Sequence, residues 1–107
     1  MTPPECLTVL TMIDSRAAAD TLARGAVEAR LAACAQITGP MTSVYRWQGT
    51  VETAEEWRVQ FKTAAARYPD LERHLLAAHP YDTPEIIATP AVRGSADYLA
   101  WLAAETA

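Results

Sequence analysis

Along residues 6–13, CLTVLTMI, apolar side chains stand on both alternating faces, Leu7, Val9 and Ile13 against Leu10 and Met12, the pattern of a central strand covered on both sides. Asp14 and Ser15 then supply a helix N-cap, and the Ala-rich run 16–33 sets Leu22, Ala26 and Ala29, with Val27 and Leu31, along a helical stripe. Residues 34–37 and 41–48 read as one strand bent at Gly39-Pro40, because proline cannot donate to a ladder. Gln48-Gly49-Thr50 turns the chain. The next run, 51–63, alternates: Val51, Trp57, Val59 and Phe61 lie on one face, Glu52, Glu56, Arg58, Gln60 and Lys62 on the other.

A second helix is expected from Pro69 to His79, stopped by Pro80, with Leu71, Leu75 and Ala78 inward. EIIATPAV, residues 85–92, reads as a fourth strand, and Ser95 as the cap of a last helix over 96–105. The order β-α-β-β-α-β-α predicts an α+β, ferredoxin-like split β-α-β fold with an antiparallel sheet and an extra C-terminal helix, in one domain spanning 1–107. Extended at roughly 3.3 Å per residue, the arm 51–63 is about 43 Å long. A chain of this size has a diameter of only about 35 Å. The hairpin therefore overhangs its own domain and leaves an open edge, which a second copy of the chain would close.

Composition narrows the function. With a net charge of −4 and no Lys/Arg run, the 107-residue chain lacks the electrostatic footprint for nucleic acid or anionic lipid. No stretch reaches the roughly 20 apolar residues that span a bilayer. The leading residues, MTPPECLTVL, lack the order of a signal peptide, so a cytoplasmic location is expected. The two cysteines, Cys6 and Cys34, have no C-x-x-C spacing and read as free thiols. An RNA-binding role for this topology fails because RVQFKT lacks the Gly/aromatic pattern of such modules.

The stretches EARLAACAQI, TSVYRWQGTVE, FKT, HPYDTPEIIATP and SADYLAWL, in that order and spacing, resemble the CutA family of divalent-cation tolerance proteins. The resemblance implies a homotrimer whose long hairpins pair around a three-fold axis, and a role in the response to metal ions. It also implies a cleft between subunits gathering Cys34, Tyr45, Trp47, Glu52, Lys62, His79, Tyr81, Glu85, Tyr98 and Trp101. Position 82 departs from the family's longer polar residue in carrying Asp82.

Each of these residues has a plainer role beside that one. His79 at a helix end suits capping as well as metal ligation. Cys34, between two alanines, suits a small core position as well as a thiolate ligand. Tyr45 and Trp47 share a strand face and suit a core or subunit seal, Glu52 and Lys62 a solvated face, and Tyr98 and Trp101 the packing edge of the last helix. Prolines 80 and 84 restrict the segment between them, which is expected to hold Tyr81 and Asp82 outward with His79 and Glu85 at its ends.

Two histidines and two cysteines without chelating spacing do not make a dedicated metal centre, and His74 and His79 diverge by roughly 140° on a helix. A metal site at His79 or Cys34 would need residues of other subunits. No cofactor is obligatory, and Cu(II) heads the affinity order for such donors. Three classes follow: a trimeric protein of copper or divalent-metal tolerance, a PII-like small-molecule signalling trimer, and an enzyme using His79, Glu85 and Lys62. The enzyme ranks last because no nucleophile is paired with a base.

Overall fold

The computed structural model describes residues 5–107; residues 1–4, part of the leading segment read above, lie outside the described residues. The elements are β1 (Cys6–Ile13), α1 (Arg16–Glu28), β2 (Cys34–Trp47), β3 (Thr50–Ala64), a 3-10 turn (Ala65–Arg67), α2 (Tyr68–Ala78), β4 (Ile87–Pro90) and α3 (Ala96–Glu105). The strands form one four-stranded sheet in the order β2-β3-β1-β4, each neighbouring pair antiparallel. This is the expected split β-α-β arrangement.

Alternation decides which face of the sheet is covered. Val9, Ile13, Val59 and Phe61 point to the face that takes α1 through Ala19, Leu22, Ala23 and Ala26, and α2 through Leu71 and Leu75. All of these are buried, and burying a side chain the size of Phe61 or Leu71 is worth about 1.5–3 kcal/mol each. α3 packs instead on the opposite face at the start of β1, where Leu102 meets Cys6 and Ala33. Both cysteines are free, Cys6 buried and Cys34 half-buried.

Three elements depart from the periodicity. α1 stops at Glu28 rather than continuing to 33: the Arg30 N–H bonds the Val27 carbonyl and the Leu31 N–H bonds the Ala26 carbonyl, a Schellman closure with Arg30 left-handed at φ 61°. Glycine or asparagine normally marks that position, so nothing in the sequence announced it. β4 keeps only four of the eight residues expected, paired from Leu7↔Pro90 to Leu10↔Ile87. Pro90 is the last residue of this edge strand, which needs few ladder donors. Ser95 stands at the N-cap of α3 without a side-chain bond, whereas Ser15 Oγ accepts from the Ala18 N–H at 3.2 Å as expected.

The hairpin behaves as its length requires. β2 and β3 pair from Cys34↔Lys62 to Trp47↔Thr50, with the register shifting between Thr38 and Met41, the irregularity foreseen at Gly39-Pro40. Gln48 (φ 52°) and Gly49 (φ 82°) form the two-residue turn, both left-handed, as a type I′ hairpin turn demands. β1 ends at the pair Ile13↔Trp57, so residues 50–56 run on for about 23 Å with β2 as their only strand neighbour among the described residues. Extents of 44 × 30 × 22 Å and a radius of gyration of 14.5 Å, against about 13 Å for an average globule, express that overhang.

Candidate functional site

Pro80 disfavours helical backbone at the residue before it, and His79 accordingly leaves α2 extended (φ −76°, ψ 134°). Its ring turns back over the end of β1. The Met12 carbonyl, beyond the last β1–β4 pair, lies 2.9 Å from Nε2, and the Tyr81 N–H lies 3.2 Å from Nδ1. A carbonyl can only accept and an amide only donate, so the partners assign the Nε2–H tautomer. The Tyr81 ring stands edge-on to the imidazole at a centroid distance of 4.7 Å. Its hydroxyl donates to Glu56 Oε2 at 2.7 Å. Burial, and then this bond to Glu56, pushes the Tyr81 phenol well above its ordinary range.

The chain 79–85 thus closes one side of a groove of about 600 Å³. The other walls are the end of β1 (Met12, Asp14) and the overhanging hairpin (Ser43, Val44, Tyr45, Trp47, Ala54, Glu56), with Tyr81, Asp82, Thr83 and Glu85 completing it. The volume lies within the range of small-molecule sites. Glu56, only 6% exposed, forms no ion pair among the described residues.

A second cluster sits at the other end of the sheet. Cys34 pairs with Lys62 across β2–β3, the Cys34 Sγ lies 3.5 Å from the Tyr98 hydroxyl on α3, and Lys62 Nζ donates to Gln36 Oε1 at 2.7 Å. The thiol's hydrogen bond, then burial, pushes the Tyr98 phenol up to about 12. Trp101 stacks at a tilt on Tyr98, 5.5 Å between centroids. Lys62 and Tyr98 also line a smaller hollow of about 180 Å³.

Within one chain, then, the ten residues gathered by resemblance fall into two groups. Tyr45, Trp47, Tyr81 and Glu85 line the large groove, His79 braces it from behind, and Glu52 stands opposite Tyr45 in the ladder. Cys34, Lys62, Tyr98 and Trp101 belong to the far cluster. Four residue steps along β3 lead from Lys62, beside Cys34, to Arg58, beside Met12, which places the two groups about 13 Å apart along the strand. Tyr81 does not stand outward: it is half-buried with its hydroxyl turned in to Glu56. Asp82 does stand outward, exposed at the groove's rim. Glu56, assigned by alternation to a solvated face, is the site residue that the sequence hid, because its cover comes from Tyr81, 25 positions away.

Among the described residues no three His, Cys, Asp or Glu side chains converge closely enough to hold a metal ion. Within a single chain the residues do not fit a resident divalent metal. His79, 7% exposed, has both ring nitrogens engaged, and Cys34 lies in the other group.

Fold and site together define a small α+β protein with a split β-α-β sheet, an overhanging hairpin and a groove beneath it. Residues 7–105 match the family model of the CutA1 divalent ion tolerance protein, and the chain belongs to that family. A divalent-cation tolerance protein CutA of Thermus thermophilus is 43% identical over 98 residues, 92% of this chain and 95% of that protein. The solved structure of the divalent cation tolerance protein Cut A1 from Thermus thermophilus superposes with a TM-score of 0.93 at 41% identity, over 95% of this chain and 99% of that one. A CutA of Archaeoglobus fulgidus, described as periplasmic, superposes at 0.92 with 29% identity, over 95% and 99%. The family names denote tolerance of divalent cations rather than a catalysed reaction, and no helix among the described residues is long and apolar enough to cross a membrane.

Proposed function

We propose that the protein acts in the response to divalent metal as a homotrimer, taking metal, Cu(II) foremost, or a small ligand at clefts completed where copies meet. The observation that carries this reading is the overhang. Among the described residues β2 is the only strand beside 50–56, and the hairpin there exposes Val44 at 66% and Val51 at 60% together with Tyr45 and Trp47. An apolar, unpaired arm of that length is what a partner copy covers. Assembly also supplies what one chain lacks, since donors from two copies can converge on a metal where the donors of one do not. The free thiols Cys6 and Cys34 suit a reducing compartment, and the proposed location is cytoplasmic.

Cys34, half-buried beside Tyr98, is the more accessible donor; His79 would first have to give up a backbone hydrogen bond. Calorimetric titration should therefore show Cu(II) bound more tightly than Zn(II) or Mg(II), with affinity reduced at least about tenfold in Cys34→Ser. Equal copper affinity in wild type and Cys34→Ser would remove Cys34 as a ligand. A second reading, a small-molecule signalling trimer of the PII type, is favoured by the size and aromatic lining of the groove.

A further inference from the structure

The two sides of the sheet treat their charges differently. Ion pairs among the described residues, Arg16–Asp20, Arg24–Glu28, Arg67–Asp70 and Arg73–Asp70, all lie on α1, or on α2 and the turn before it, the side that covers the core. The large groove and the smaller hollow hold none, although both are charged. The groove is lined by Asp14, Glu56, Asp82 and Glu85 with no Lys, Arg or His. The hollow is lined by Lys62 and Arg93 with no Asp or Glu. By alternation Met12 and Glu56, at the groove, and Lys62, at the hollow, point to the same sheet face, the one opposite the core. Lys62 gives one hydrogen bond to Gln36, which leaves two of its three donors free.

Sets of opposite sign about 13 Å apart along one strand cannot neutralise each other within a chain. A head-to-tail contact between copies sets the groove of one against the hollow of the next, and a contact of that kind can close into a ring. We propose that the Lys62 ammonium of one copy enters the groove of the next and pairs there with Glu85, the longest-reaching of the exposed carboxylates in its lining. The cleft is then incomplete in any single chain. Cys34, opposite Lys62 in the β2–β3 ladder, is carried into it by the same contact. The inference rests on the homotrimer reading and names the charges that join the copies.

Light scattering coupled to size exclusion, run on the full chain across a urea series, tests it. Lys62→Glu and Glu85→Lys should each raise the subunit dissociation constant at least about tenfold. The double exchange should recover most of that loss, because it restores the pair with its signs reversed. Lys62→Gln, which removes the charge without reversing it, should weaken assembly at least about fivefold with secondary structure retained by circular dichroism. Arg24→Glu, on the exposed surface of α1, should leave assembly unchanged. Lys62→Glu and Lys62→Gln assembling as tightly as wild type would overturn the proposal, as would a double exchange whose losses simply add. Equal weakening by Arg24→Glu would overturn it too, by showing an effect of net charge alone. A trimer indifferent to these exchanges defeats only this inference, whereas a wild-type protein at one chain mass defeats the homotrimer reading with it.

Discussion

His79→Ala should lower the free energy of unfolding by about 2–4 kcal/mol, the largest effect expected of any single residue around the groove. The ring joins three things: the Met12 carbonyl at the end of β1, the Tyr81 amide and the edge contact to the Tyr81 ring. Each hydrogen bond is worth about 1 kcal/mol net, and more where truncation strands a buried partner. The edge contact adds about 0.5–1.5 kcal/mol. At roughly 4 °C per kcal/mol for a domain of this size, the melting temperature should fall by about 8–16 °C. His74→Ala is the internal control. That side chain, half-buried on α2, makes no hydrogen bond among the described residues, and its loss should cost under about 1 kcal/mol. Equal melting temperatures for His79→Ala and wild type, by calorimetry, would show that the imidazole is not the brace described.

Gly39→Ala should cost about 1–3 kcal/mol although it adds one methyl group to an exposed position. A Cβ built there would stand 2.5 Å from Trp57 Cδ1 and 2.8 Å from Cγ, well inside contact distance. The indole lies across the bent part of β2 and packs on the edge of the core formed by α1, α2 and the sheet. It cannot shift without uncovering that edge. Chemical denaturation followed by tryptophan emission should show both the lost stability and a change in the native spectrum. A native spectrum and midpoint indistinguishable from wild type would mean that Trp57 does not rest on Gly39. By the same packing, Trp57 belongs to its own chain's core rather than to the bare arm, where Val44 and Val51 are the apolar groups left open.

Much of this architecture could be read from local chemistry. The two-sided apolar run of β1, the Ser15 cap, Pro80 at the end of α2 and the alternation of Val59 and Phe61 each impose one conformation on neighbouring residues. The overhang followed from arithmetic on strand length alone. What escaped depended on residues far apart in sequence. Arg30 holds a left-handed turn that its identity does not favour, and its guanidinium donates to the Ala104 carbonyl at the end of α3, a contact no local pattern encodes. Glu56 looked like one carboxylate among several on a polar face until Tyr81 covered it. The division of Cys34, Lys62, Tyr98 and Trp101 from the groove residues likewise follows from the β2–β3 register, which periodicity leaves free.

That division also gives assembly its chemical meaning, because two groups that one chain keeps about 13 Å apart along β3 can share a cleft only if a second copy brings them together. The most direct test is the solution mass of the protein, by light scattering coupled to size exclusion at micromolar concentration. The wild-type protein should register about three times the chain mass of 11.6 kDa, and a Val44→Lys, Val51→Lys double variant should fall toward a single chain while keeping its secondary structure by circular dichroism. A wild-type protein that elutes at one chain mass would contradict the account, since its bare hairpin would then have no partner and its two clusters no common cleft.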